Sequence, residues 1–532
     1  MVLERSSGVL LHPTSLPGRF RVGDLGPEAR RFVDWLAGAR QQFWQVLPLG
    51  VTGDDFSPYH TLSASAGNPL LVSPDLLAED GLIDGPDLDE AADRAESNAG
   101  FVDYAQAAAE KDRVLRSAAA RFRQLPPGHP FRAEFARFCR DHAAWLDDHA
   151  VFLALREANQ ERAWWEWSEL VTPTKHPTAD APAELAERLE LHRITQWLVR
   201  RQWDGLRRYA RSRGVRLIGD LPIYVAHDSA DVWAHRELFQ LDEQGQPKLV
   251  AGVPPDYFSA TGQLWNNPVY DWPANAREDY RWWVARVGAL LAWVDLIRVD
   301  HFRGFEAYWA VPAGEPTAEN GQWHAGPGTE LFDAVRRGLS SSLPEGDGTA
   351  PLPLIAEDLG HITPEVVELR KRLGLPGMEV LQFLWNYDED RFVPPDQFDR
   401  DTVVYTGTHD NNTTRGWFEE VALGEPRILE RLRRYTRGEA HSIAWEMIEL
   451  AWRSTAAVAI APLQDILSLG PEARMNKPGT RHHDPPNWSW RVGPGMLTAE
   501  LAARLAALTE QTGRGRILPS LGAHVSPPRD DR

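Results

Sequence analysis

Eight short apolar runs, rich in β-branched residues and bounded by glycine or proline, recur along this 532-residue chain. Helical patterns separate most of them, and an alternation of strands with helices is typical of a parallel sheet. The runs are almost continuously apolar, as strands covered on both faces must be. They lie at 8–13, 42–49, 215–224, 293–300, 352–357, 379–384, 402–408 and 455–462. Eight such units predict an α/β fold, a (β/α)8 TIM barrel.

A helix with clear end signals is predicted after the fifth run. Thr363 and Pro364 supply a helix cap and a proline at the first helical position, and Gly374 supplies a stop. Because a helix should follow each strand of such a barrel, this segment supports the alternation.

Two gaps between the runs are longer than a crossover needs. We interpret residues 1–532 as a single catalytic barrel with two insertions. The first, at 73–212 between strands 2 and 3, has a helix-rich sequence, and the second, at 225–290 between strands 3 and 4, is loop-rich. We expect both beside the mouth formed by the carboxyl ends of the strands, where barrels carry their binding surface.

Composition excludes several classes of partner. The formal net charge of −19, from 76 acidic and 57 basic side chains, repels polyanions, so we expect no nucleic-acid partner and no membrane partner. No run approaches the roughly 18 apolar residues of a membrane helix. A single cysteine, Cys139, and a polar start predict a cytoplasmic protein, while the oligomeric state is unknown at this stage.

Four acids stand at the ends of predicted strands: Asp220, Asp300, Glu357 and Asp410. The carboxyl ends of parallel barrel strands meet at one mouth, so these side chains are expected to converge there. Carboxyl groups in that arrangement can attack, protonate and stabilise a positively charged sugar carbon. The sequence therefore indicates an enzyme that acts on glycosidic bonds.

The residues themselves suggest some roles and leave others open. Arg298 lies two residues before Asp300, on the same face of the strand, and its charge favours the ionised carboxylate that a nucleophile requires. The proton donor is Glu357 or its neighbour Asp358, because only one of two adjacent strand residues faces the barrel axis. Position alone does not choose between them.

Other features bear on the kind of chemistry. The chain has 22 tryptophans, and those not needed in the core fit the stacking of sugar rings. His12, His301 and His409 follow strands, but none forms the tight cluster of a zinc site, and the loop sequence His482-His483-Asp484 is a weak alternative. We therefore expect no catalytic metal. A glucan-binding barrel without turnover is a further alternative.

Ordered sequence blocks along nearly the whole chain resemble the 4-α-glucanotransferases (amylomaltases, or disproportionating enzymes) of glycoside hydrolase family 77. They include SGVLLHPTSLPGRFRVGDLG, FSPYHTLSASAGNPLLV, IGDLPIYVAHDSADVWA, PPDYFSATGQLWNNPVYDW, LIRVDHFRGF, IAEDLGHITPEV, YTGTHDNNTTRGW and LSLGPEARMNKPGT. A match in so many ordered blocks is far more specific than a single motif.

This resemblance implies a retaining double displacement on α-1,4-glucans, with a maltooligosaccharide or a starch- or glycogen-type glucan as donor and another glucan or glucose as acceptor. It assigns Asp300 as nucleophile, Glu357 as general acid/base and Asp410 as transition-state stabiliser. The resemblance also implies that no organic cofactor or metal is needed, and an α-glucan hydrolase with the same carboxylates is the alternative. The positions that match substrate-binding residues of the family are Arg298, His409, Asp220, Tyr59, Asp256, Gln263 and Trp265.

The sequence departs from the family pattern at two places that are expected to lie in loops. Asn266 stands where the family often has glycine, and residues 481–486 (RHHDPP) are unusual before NWSWR. Both are expected to alter loop geometry without touching the carboxylates.

Overall fold

The computed structural model describes residues 3–85, 100–167, 183–255, 259–340, 351–386, 392–480 and 486–515. In these ranges the strands, numbered in chain order, are β1 Ser6–Leu10, β2 Phe43–Gln45, β3 Arg216–Leu221, β4 Leu249–Val253, β5 Gln263–Pro268, β6 Leu296–Val299, β7 Ala307–Pro312, β8 Gln322–Ala325, β9 Leu354–Ala356, β10 Gly377–Val380, β11 Thr402–Tyr405 and β12 Val458–Pro462.

Eight of these strands form one parallel sheet in the order β10-β11-β12-β1-β2-β3-β6-β9. The two end strands, β9 and β10, contact each other, so the sheet is nearly closed into a barrel. Each of the eight predicted runs contains or overlaps one of these strands, and the predicted TIM-barrel fold is confirmed.

The barrel strands are buried because helices cover their outer faces and side chains fill the interior. All five residues of β1 and of β12 are buried. Within the interior, the hydroxyl of Tyr405 on β11 donates a hydrogen bond to Gln45 Oε1 on β2 at 2.8 Å. The barrel is therefore a packed core, and substrate must bind at its mouth.

A second sheet, which the sequence analysis did not predict, is antiparallel with the order β5-β4-β7-β8. Two of its strands, β4 and β5, lie within the range 225–290, whose sequence suggests loops. β5 (QLWNNP) has two asparagines and a proline and is mostly half-exposed, so it lacks the apolar pattern that identifies a buried strand.

The α-helices are Pro27–Gly38, Pro74–Glu79, Tyr104–Gln124, Pro130–Asp141, Ala143–Ala158, Ala183–Ser212, Ala230–Ala234, Trp272–Arg277, Arg281–Leu291, Thr329–Leu339, Pro364–Arg372, Leu381–Leu384, Thr414–Trp417, Pro426–Arg433, Ile443–Arg453, Leu463–Ile466 and Ala499–Gln511. The helix predicted to begin at Pro364 does so, and Gly374 follows its end with φ 66°. Glycine adopts this left-handed conformation without steric cost.

Five of these helices lie between β2 and β3, in the range 73–212. A buried ion pair ties them to the barrel, since Lys111 Nζ lies 3.2 Å from Asp24 Oδ2. Trp203 also donates from its indole to the main-chain oxygen of Trp293, which precedes β6, at 2.8 Å. Among the described residues, no helix is long and apolar enough to cross a membrane.

Candidate active site

Three of the four carboxyl groups predicted to meet at the mouth, those of Asp220, Asp300 and Glu357, come from the neighbouring strands β3, β6 and β9. In the sheet register, Asp220 of β3 pairs with Arg298 of β6, and Val299 pairs with Ala356 of β9. Asp300 and Glu357 are the next residues along these two adjacent strands. Because neighbouring strands lie about 4.8 Å apart, this register brings the two carboxyl-bearing positions side by side.

Arg298 connects two of the acids. Its Nη1 donates to both carboxylate oxygens of Asp220, at 2.9 and 2.8 Å, and lies 2.8 Å from Asp300 Oδ1. The side chains of Arg298 and Asp220 are 5% and 0% exposed, whereas that of Asp300 is 28% exposed. The buried pair therefore fixes the guanidinium, and the guanidinium fixes the carboxyl group of Asp300, which remains partly exposed.

Tyr59 completes the shell around Asp220. Its hydroxyl donates to Asp220 Oδ2 at 2.7 Å, and its ring stacks on the imidazole of His409 with centroids 5.0 Å apart. Burial and the negative charge of Asp220 raise the pKa of Tyr59 well above its usual value. The phenol therefore stays protonated and acts as a hydrogen-bond donor.

The carboxyl group of Glu357 is held by two main-chain donors. His301 N–H donates to Oε2 at 2.7 Å and Leu359 N–H donates to Oε1 at 2.8 Å. His301 adopts a left-handed conformation, with φ 51°, immediately after Asp300. The turn at His301 therefore positions the carboxyl group of Glu357 relative to Asp300.

The environment of Glu357 favours its protonated form. The pKa of Glu357 is raised to about 7, because burial and the negative charge of Asp300 together outweigh the opposing effects of Arg298 and the two main-chain N–H groups. A carboxyl group with this pKa is protonated in a large fraction of molecules near neutral pH, as a general acid requires.

Asp358, the other candidate for the proton donor, faces a different set of partners. Its Oδ1 accepts from Met378 N–H at 2.8 Å on β10, and its Oδ2 lies 2.9 Å from Arg370 Nε. Asp358 thus stabilises the packing of β9 against β10 and the following helix. Of the two neighbours, Glu357 is the one that interacts with Arg298 and Asp300.

Asp410 approaches from β11 and is the most exposed of the four acids, with 47% of its side chain accessible. Its Oδ1 lies 3.3 Å from His409 Nε2 and accepts from Asn476 Nδ2 at 2.6 Å. His409 itself is 5% exposed and packs in a cluster of three rings with Tyr59, on which it stacks, and Trp488. Stacking therefore fixes the imidazole, and the imidazole orients an accessible carboxylate.

Two residues of β5 reach the same region. The indole of Trp265 donates to Gln263 Oε1 at 3.3 Å and packs edge-on against His301, with ring centroids 4.9 Å apart. Asn266 follows with φ 63°, which explains why glycine is common there in the family that this chain resembles. Asparagine is among the few other residues that tolerate this conformation.

Asp256, His482, His483 and Asp484 lie outside the described residues, as does most of the unusual segment 481–486. Within the described ranges, no group of three or more His, Cys, Asp or Glu side chains is arranged to hold a metal ion. The remaining predicted site residues, from Tyr59 to Asp410, are all described.

Two polar residues at this site were not predicted. Asn476 contacts the carboxylate of Asp410, and Arg474 Nη2 donates to the main-chain oxygen of Asp410 at 2.8 Å. Both belong to the block LSLGPEARMNKPGT, which follows the eighth predicted strand. Position after a barrel strand is the signal that identifies such residues.

Comparison with known proteins agrees with this geometry. Residues 11–497 match the model of a glycoside hydrolase 77 family described as 4-alpha-glucanotransferase. The 4-alpha-glucanotransferase of Synechocystis sp. is 46% identical over 97% of this chain and 99% of its own, and that of Thermus thermophilus is 44% identical over 97% and 100%. An amylomaltase from Streptococcus agalactiae, solved with acarbose, superposes with a TM-score of 0.88 at 35% identity, covering 96% of this chain and 100% of that one.

A barrel whose mouth carries carboxyl groups from neighbouring strands, one in an ion pair with arginine and one with a raised pKa, is typical of an enzyme that acts on glycosidic bonds. The chain belongs to the 4-α-glucanotransferase family, glycoside hydrolase family 77. The predicted family and the predicted class, a glycosyl-transferring enzyme, are both confirmed, and hydrolysis is not the favoured activity.

Proposed function

We propose that this enzyme moves α-1,4-glucan segments from a donor to the 4-hydroxyl of an acceptor glucan or glucose by a retaining double displacement. The observation that carries the proposal is the placement of Glu357, whose pKa is raised to about 7, beside Asp300, whose carboxyl group forms an ion pair with Arg298. Maltooligosaccharides and longer glucans of the starch or glycogen type are the proposed substrates.

In the first step, Glu357 gives its proton to the glycosidic oxygen while Asp300 attacks the anomeric carbon. The bond to the leaving glucan breaks as the bond to Asp300 forms, with inversion. Retaining pairs need carboxyl groups about 5–5.5 Å apart, and the side-by-side register of the two residues supports this separation.

In the second step, the ionised Glu357 removes the proton from the acceptor 4-hydroxyl, whose oxygen displaces Asp300. This second inversion restores the α configuration and returns Glu357 to its protonated form. Because the pKa of Glu357 is about 7, the group loses and regains its proton with little free-energy cost near neutral pH.

We assign Asp410 to stabilising the transition state, because an exposed carboxylate beside His409 can hydrogen-bond sugar hydroxyls as the ring distorts. Tyr59, Asp220 and Arg298 fix the nucleophile. Gln263 and Trp265, on the strand next to His301, are proposed to contact the glucan, and Asp256 is proposed with them on resemblance alone.

Transfer exceeds hydrolysis when the acceptor sugar is held better than water. The indole of Trp265, half-buried and oriented by Gln263 and His301, offers a flat apolar surface for that purpose. The ligand of the Streptococcus agalactiae amylomaltase, acarbose, is consistent with glucan recognition in the family.

We further propose that residues 1–532 act as one catalytic unit, with 73–212 and 225–290 as insertions at its mouth. The single cysteine, Cys139, which is unpaired, supports a reducing cytoplasm as the site of action.

The decisive experiment is incubation of the purified protein with maltotriose, followed by chromatography of the products. A ladder that contains glucose together with maltopentaose and longer oligomers is expected. Production of glucose and maltose alone would instead establish a hydrolase, and an unchanged maltotriose pool would establish a binding protein.

A further inference from the structure

Trp323 is an exposed tryptophan on β8 of the antiparallel sheet, with 41% of its surface accessible. It pairs across the sheet with Trp309 on β7, and the two rings meet at 67° with centroids 5.2 Å apart. Leaving so large an apolar ring exposed gives up the free energy that its burial would contribute. This raises the question of whether a function requires the exposed ring.

A buried arginine fixes this ring. The guanidinium carbon of Arg303 lies 3.9 Å from the centre of the Trp323 ring, although Arg303 itself is only 5% exposed. Arg303 donates to the main-chain oxygens of His361 at 2.8 Å and Ala307 at 3.3 Å. One face of the indole is thus covered by an immobilised cation, and the exposed part of the ring is presented in a fixed orientation.

This ring is connected to the catalytic carboxylates through short segments. Arg303 lies three residues after Asp300, in the turn that begins at His301, whose N–H binds Glu357. His361 lies four residues after Glu357, in the loop that follows β9. Trp323 is therefore next to the two loops that carry the nucleophile and the acid, but in the described residues it makes no contact with either carboxylate.

We propose that Trp323 is an outer glucan-binding subsite, on which one glucosyl residue of a long α-glucan stacks while the chain is bound at the carboxylates. This deepens the proposed function and rests on it. The C–H faces of glucose are apolar and match a flat ring, and the exposed Asn320, just before β8, carries an amide that can bond the hydroxyls of a glucan.

The surroundings of Trp323 favour a sugar over a second copy of the chain. Its neighbours Glu319, Asn320 and Gln322 are exposed and polar, whereas a stable protein interface needs a broad, well-packed apolar centre. A single ring with polar edges has the dimensions of one pyranose unit.

The test compares a short with a long substrate in the full-length enzyme. Trp323→Leu keeps apolar bulk against Arg303 and Trp309 but removes the flat ring, and Trp323→Phe keeps a ring. We expect Trp323→Leu to raise KM for amylose about threefold to tenfold, the loss of one stacking contact. Its kcat, and both constants for maltotriose, should stay unchanged, and Trp323→Phe should recover most of the affinity for amylose.

Tyr435→Ala serves as the matched control, because it removes another exposed ring (37% accessible) that packs against Trp385 and Phe392. Its KM for amylose should equal that of the parent enzyme. The inference is overturned by an unchanged KM for amylose in Trp323→Leu, by equal losses on amylose and maltotriose, or by a similar rise in Tyr435→Ala. A change in elution volume of Trp323→Leu on gel filtration would overturn it in favour of self-association. Absence of maltotriose disproportionation in the parent enzyme would be a failure of the proposed function instead.

Discussion

The ends of β6 and β9 are neighbours in the barrel, yet each places its carboxyl group in a different environment. At the end of β6, Asp300 lies against the guanidinium of Arg298, which the buried Asp220 fixes from the other side. At the end of β9, the carboxyl group of Glu357 accepts from the main-chain N–H groups of His301 and Leu359, and its pKa is raised to about 7, with burial as the largest cause. In the proposed mechanism, environment, more than the identity of the acid, separates the nucleophile from the proton donor.

The comparison also shows how each state supports the other. The ionised Asp300 contributes to keeping Glu357 protonated, since two negative charges at adjacent strand ends repel each other. The cation at Arg298 opposes that shift, which keeps the pKa of Glu357 near neutrality. A retaining enzyme needs this balance because the same group must donate a proton and then accept one.

Removal of either carboxyl group should have the largest effect on turnover. Asp300→Ala and Glu357→Ala are each expected to lower turnover of maltotriose by about 10⁴-fold or more, because each removes a group proposed to act in the transition state.

Azide, added together with an α-glycosyl fluoride donor, should distinguish the two variants. The fluoride needs no acid, so Glu357→Ala should form an α-glycosyl azide through Asp300, whereas Asp300→Ala should form the β-glycosyl azide by a single displacement.

The anomeric configuration of these azides, measured by NMR, is the critical observation. Asp358→Asn is the matched control, because it alters the carboxyl next to Glu357 that bonds Met378 and Arg370. It should retain activity with a retained product. Identical azide products from the two alanine variants would show that the roles are wrongly assigned.

The pH dependence of kcat/KM is expected to show a smaller effect, which tests the raised pKa of Glu357. The first step needs a protonated Glu357, whose pKa is raised to about 7, so kcat/KM should be level below that pH and fall about tenfold for each unit above it. Initial rates of maltotriose disproportionation from pH 5 to pH 9 test this directly. A plateau that extends to pH 9 would contradict the pKa of Glu357 and its role as acid.

Much of this organisation is predictable from the sequence because parallel barrels leave a strong local pattern. The near-continuous apolar runs identify the eight barrel strands, and an acid at the end of a run marks the mouth, as at Asp300 and Glu357. Spacing by two residues also places Arg298 and Asp300 on one face, which their ion pair confirms.

The remaining features depend on contacts between distant segments. The sequence does not choose between Glu357 and Asp358, because the choice depends on the main-chain donors His301 and Leu359 and on the partner Arg370. The antiparallel sheet and Asn476 were missed for related reasons. Half-exposed strands lack an apolar pattern, and although Asn476 follows a barrel strand, its sequence position does not show that it contacts Asp410, 66 residues away.

Substitutions of Asn266 are expected to have the smallest effect on stability and activity. They test whether the backbone conformation of β5 at this residue supports the contact of Trp265 with His301, which binds Glu357. The residue is exposed, has φ 63°, and follows Trp265, which packs against the His301 that binds Glu357. Asn266→Gly should change the free energy of unfolding by less than about 0.5 kcal/mol, because both residues accept this conformation. Asn266→Val, of a branched type that rarely adopts positive φ, should cost about 1–2 kcal/mol. Urea unfolding measures both, and kcat should fall only in the valine variant, since a shifted backbone there displaces Trp265. An equal loss of stability in the two variants would mean that the asparagine side chain, and not its backbone conformation, supports this side of the mouth.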